Sequence, residues 1–119
     1  MNKVKDVVVL LVAYPDNDSA LAKVPHMYVC VSTNGSVELL KCQSQKPYHL
    51  KPNSLPRKRF MVEVNVHQSP FKVRTIIDLD KVFVCAAPTQ YHVIGKLSDV
   101  LFKKLLAAVD YKTAEIIKL

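Results

Sequence analysis

Residues 72–109, KVRTIIDLDKVFVCAAPTQYHVIGKLSDVLFKKLLAAV, constrain the fold more than any other part of the chain, because strand, turn, strand and helix signals follow one another there without a gap. Residues 75–79 and 82–87 are rich in β-branched and apolar side chains and are punctuated by Asp80-Lys81 and Pro88-Thr89-Gln90, which predicts a pair of strands. Residues 91–94 read as a third short strand, broken by Gly95. The hydroxyl of Ser98 is placed to accept from the free amides of a first helical turn, and Asp99 sits at the positive end of that turn. Leu101, Phe102, Leu105, Leu106 and Val109 then share one helical face, while Lys103, Lys104 and Asp110 point away.

Upstream, residues 6–14 form a continuous apolar run, as expected of a strand buried on both faces. Lys3 and Lys5 ahead of it, and the small residues 19–22 after it, outline a signal peptide. Its valine content and the abutting Asp6 favour the strand. Residues 26–32 and 37–43 flank Thr33-Asn34-Gly35-Ser36, which is hairpin turn chemistry. Residues 44–59 lack periodicity and carry Pro47, Pro52 and Pro56, so they read as a long loop of the kind that binds something. Residues 60–66 alternate, with Phe60, Val62, Val64 and Val66 on one side, and predict a half-buried strand. The fold class that follows is mainly β (α+β): one domain over residues 1–119, a small twisted sheet curled into a partly closed barrel with one C-terminal amphipathic helix. The chain is long enough to close a core without metal or disulfide help.

Charge narrows the function. The formal net charge is +7, and residues 41–60 contain Lys41, Lys46, Lys51, Arg57, Lys58 and Arg59 with no acidic residue. Such a block attracts phosphate, and Tyr48, His49 and Phe60 within or beside it offer rings on which unstacked bases settle. The bland alternative is a solvated loop that keeps a small protein in solution. Cys30, Cys42 and Cys85 lie inside apolar runs without ligand spacing, which fits buried thiols in a reducing cytoplasm and gives no metal site. No run approaches the about 20 apolar residues that span a bilayer.

The order of short motifs adds a family. Asp6-Val7-Val8-Val9, Tyr14-Pro15-Asp16, Lys23 near Pro25, a strand ending in Ser32, Gln43-Ser44, and later residues 74–84 followed by Ile94-Gly95-Lys96-Leu97-Ser98 and a helix occur in sequence. This order resembles the MazF/PemK family of toxin–antitoxin ribonucleases over nearly all of residues 4–110. The resemblance implies an SH3-like β-barrel, usually a homodimer, that cleaves single-stranded RNA without metal or cofactor through the substrate's own 2′-hydroxyl and is neutralised by an antitoxin protein. The family places an Arg at the start of the second strand and a Thr or Ser after the third. Here no arginine precedes Arg57; His26, or Lys23 if the alignment is made on Pro25, stands in its place, and Ser44 supplies the hydroxyl. His26 would act as acid or base. Lys23 would supply charge without the bidentate grip of an arginine. Lys46, Tyr48, His49, Lys51, Arg57, Lys58 and Arg59 would hold the RNA. The alternative is a noncatalytic SH3-like module that binds nucleic acid or a partner peptide, and the missing arginine favours it.

Overall fold

The computed structural model describes residues 4–10, 26–85 and 91–118. Valine-rich segments give β1 (Asp6–Leu10) and β2 (His26–Ser32), and Asn34-Gly35, with Gly35 at φ +86°, turns β2 into β3 (Val37–Ser44). A positive φ of this kind suits glycine, which has no Cβ to clash. Further along lie β4 (Arg59–Val62), β5 (Thr75–Asp78), β6 (Lys81–Cys85), β7 (Tyr91–Lys96), helix α1 (Asp99–Ala108) and β8 (Glu115–Lys118). The strands form one sheet in the order β4-β5-β3-β2-β1-β7, with β6 paired to β3 and β8 paired to β6. All pairings are antiparallel except β6 with β8. Among the described residues β4 and β7 have no partner on their outer sides, so the sheet does not close.

Strand β3 carries two leaves. Its second half pairs with β5 (Cys42 with Ile77) and its first half with β6 (Leu39 with Phe83). A three-residue step along β3 is thus answered by a six-residue step along the later chain, and the surplus forms a bend around Leu79-Asp80. The predicted β5–β6 pair is therefore not a hairpin: the two strands run end to end along β3.

Both faces of the central strands are covered, as the unbroken apolar run of β1 foretells. Val7, Val29, Leu40, Cys42 and Ile77 belong to one core, which α1 covers with Leu101, Phe102 and Leu105. Val8, Leu10, Tyr28, Cys30, Leu39 and Phe83 belong to the other. Burying each of the three helix side chains contributes about 1.5–3 kcal/mol. The Ser98 hydroxyl accepts from the Leu101 amide and starts the helix, and Asp99 is paired with Lys5 across the fold. That ammonium, first by hydrogen bonding and then by its charge, holds the Asp99 carboxyl below its usual range.

Two further expectations change. The strand predicted for residues 60–66 stops at Val62, because Asn65, His67 and Gln68 all take left-handed backbone angles (φ 62°, 53° and 56°) that end the pairing. Val64 and Val66 are left 37% and 43% exposed. Gly95 does not break its strand: β7 continues to Lys96, and a Cβ at position 95 would lie 2.7 Å from Pro70 Cβ, so glycine is there to admit the neighbouring chain. The C-terminal segment, which has no clear pattern of its own, docks as β8 on the free edge of β6.

Candidate nucleic-acid interface

The basic segment that follows β3 is built rather than loose. Gln45 N–H donates to Arg74 O at 3.0 Å at its start. Pro47 then opens a single 3-10 turn, Pro47–Leu50. Lys46 N–H donates to His49 Nδ1 at 2.7 Å, while His49 N–H donates back to Lys46 O at 2.9 Å. The Ser54 hydroxyl donates to His49 O at 2.9 Å. At the far end the Arg59 guanidinium donates to Pro56 O, His49 O, Ser54 O and Ser54 Oγ, all within 3.0 Å. The Asp80 carboxylate, on the bend between β5 and β6, accepts from the backbone amides of Arg57 (2.7 Å) and Lys58 (3.1 Å).

These anchors sort the residues expected to hold RNA. Lys46, Lys51 and Arg57 present exposed side chains that make no ion pair with any described residue. Tyr48 is 55% exposed, its ring centroid 4.3 Å from that of His49. Lys58 is exposed, but its ammonium donates to Thr113 Oγ1 at 2.8 Å. Arg59 differs from the expectation, because its guanidinium faces loop oxygens and closes the arm. His49 differs too: it is 4% exposed, so its ring supports the turn and is no platform for a base.

The expected His26–Ser44 pairing is corrected by the register. Met27 lies opposite Cys42, and both face the core under α1. Alternation then turns His26 toward the opposite face, with Tyr28, and Ser44 toward the same face as Cys42. The imidazole and the hydroxyl therefore leave the sheet on opposite sides. Ser44 instead lines a cleft of about 380 Å³ with Met27, Phe71, Lys72, Thr75 and Ile94. Lys23 lies outside the described residues.

Sequence reasoning passed over Lys72, the exposed cation of that cleft, and Asn53 and Ser54, which line a second hollow of about 440 Å³ with His49, Lys51, Arg57 and Arg59. The signal available for Asn53 was its place among turn residues; for Lys72 there was none beyond its charge. Burial, and then the charge of Arg59, push the His49 pKa down, so the ring is neutral near pH 7. Desolvation raises the Cys30 thiol to about 11 and pushes Cys42 and Cys85 up as well, which leaves no described cysteine as a thiolate nucleophile. Among the described residues no three His, Cys, Asp or Glu side chains come together as a metal set, and no helix is long and apolar enough to cross a membrane.

Fold and surface together define a small, mainly β domain that carries an arm of cations without acidic side chains. Set against family models, curated proteins and solved structures, the chain gives no match.

Proposed function

We propose that this chain is a single-stranded RNA-binding module on an SH3-like barrel of the MazF/PemK kind, in which Lys46, Lys51 and Arg57 contact the phosphate backbone and Tyr48 takes a base. The observation that carries this reading is the arm itself: Arg59 and Asp80 hold it in shape from within, and three cations are left exposed with no ion pair to any described residue. Exposed cations beside an exposed ring are what sequence-tolerant single-strand binders use.

A second reading, metal-independent cleavage by a toxin of that family, is favoured by one feature, the cleft that Ser44 and Lys72 both line. Cleavage through the 2′-hydroxyl forms a cyclic phosphate and releases a 5′-hydroxyl, and it needs a base, an acid and a cation over the phosphate. A hydroxyl and a lysine do not make up that set with His26 on the other face. Binding without cutting is therefore the primary reading, and homodimerisation and an antitoxin partner belong with the second.

Incubation with mixed single-stranded RNA in EDTA separates the two. Expected is intact RNA bound with a steep salt dependence, and Lys46→Ala/Lys51→Ala/Arg57→Ala flattening the log–log slope by about 2, since each single-strand phosphate contact contributes roughly 0.7. An unchanged slope refutes the arm as the binding surface. Cleavage that disappears in Ser44→Ala replaces the binding reading with the nuclease one.

A further inference from the structure

The hollow bounded by His49, Lys51, Asn53, Ser54, Arg57 and Arg59 has a feature that backbone tracking along the arm does not use. His49 Nδ1 accepts the Lys46 amide proton, so in the neutral ring the imidazole proton sits on Nε2. That Nε2–H is buried and has no acceptor among the described residues. Leaving a buried donor unmet is costly, and native folds seldom do so without a reason. The other side chains lining the hollow are two arginines, a lysine, an amide and a hydroxyl, with no carboxylate. Arg59 and Ser54 are engaged with loop carbonyls and with each other, which fixes the wall. Lys51 and Arg57 are exposed at the rim.

We infer that this hollow is a receptor for one phosphate monoester or inorganic phosphate, with His49 Nε2–H as the inner donor and Lys51, Arg57 and Asn53 meeting the outer oxygens from the rim. A monoester offers three terminal oxygens and nearly two negative charges near neutral pH, which matches a recess of donors rimmed by two free cations. An internal diester offers one charge and two such oxygens, with chain continuing on both sides. The inference deepens the RNA-binding reading, since the monoester it names is the phosphorylated end of a strand, the other source being free phosphate.

The test has two arms. In the first, inorganic phosphate is titrated into the full chain while the His49 ring nitrogens and Nε2–H are followed by NMR. Expected is a saturable shift at His49 that is lost in Lys51→Ala/Arg57→Ala, both exposed positions where alanine leaves the core alone. In the second, fluorescence anisotropy compares one oligoribonucleotide carrying a 5′-phosphate with the same sequence carrying a 5′-hydroxyl. A preference of about tenfold for the phosphorylated end, the size of one added charge-assisted contact, is expected and should vanish in the double variant. A shift at His49 with no such preference supports the hollow with free phosphate as its ligand and overturns the strand end. An unmoved His49 signal at millimolar phosphate overturns the site, while salt-sensitive binding of the 5′-hydroxyl strand leaves the RNA-binding reading intact. If phosphate moves His49 and neither strand binds, the RNA reading falls and the hollow stands.

Discussion

Replacing Arg59 separates a residue that touches ligand from one that holds the ligand's seat. Its guanidinium donates four hydrogen bonds to three residues of the arm, His49, Ser54 and Pro56. Each such bond contributes about 1 kcal/mol net, so an additive loss would reach about 4 kcal/mol in Arg59→Ala. The arm is partly exposed and the orphaned carbonyls can turn to water, which brings the expected loss to about 2–3 kcal/mol, or a Tm lowered by roughly 6–12 °C. Arg59→Lys keeps the charge but not the planar fork, and it should recover no more than about 1 kcal/mol. Urea denaturation of the three proteins, with amide exchange at Ser54 and Arg57, reads both quantities. If Arg59→Ala melts with the wild type and loses only affinity for RNA, the residue is a phosphate contact after all and the description of the arm is wrong.

Two other perturbations test the close approach at Gly95 and the protonation of His49. Gly95→Ala sets a methyl group 2.7 Å from Pro70 Cβ, and the forced separation of β7 from that loop should cost about 1–3 kcal/mol, measurable as a lower urea midpoint at unchanged slope; wild-type stability would mean the approach relaxes freely. For His49 the folded pKa lies below the ordinary 6.5, through burial and the nearby charges of Arg59 and Lys46. The unfolded chain therefore binds the extra proton first, and stability present above about pH 6.5 should fall as pH drops through the folded value. Urea curves at pH 7.5 and 5.5 should show that loss in the wild type and a smaller one in His49→Gln; equal losses would clear His49 of the effect.

The elements that sequence made legible are those governed by local chemistry. Asn34-Gly35 specifies a hairpin because few residues tolerate the left-handed turn, and Ser98 announces α1 because its hydroxyl meets an amide three residues on. Strand β8 had no such mark: Glu115–Lys118 is a strand because β6 offers it a free edge. The early stop of β4 depends on backbone angles at Asn65, His67 and Gln68, where no glycine signals them. For the site, the cationic segment could be read from charge alone, but which cations remain outward depends on Asp80, more than twenty residues away from Arg57 and Lys58. The faces of His26 and Ser44 follow from strand register, which neither residue's own neighbourhood reveals.

The doubly shared strand β3 also bears on how the arm behaves. Because one backbone serves both leaves, neither can swing without tearing ladder bonds from the other, and the arm leaves directly from its end. Pinned to Arg74 at its root and to Asp80 at its tip, it is a bracket and not a lid. Selectivity on such a surface has to come from the contour it already holds, with nothing there to shut over the guest.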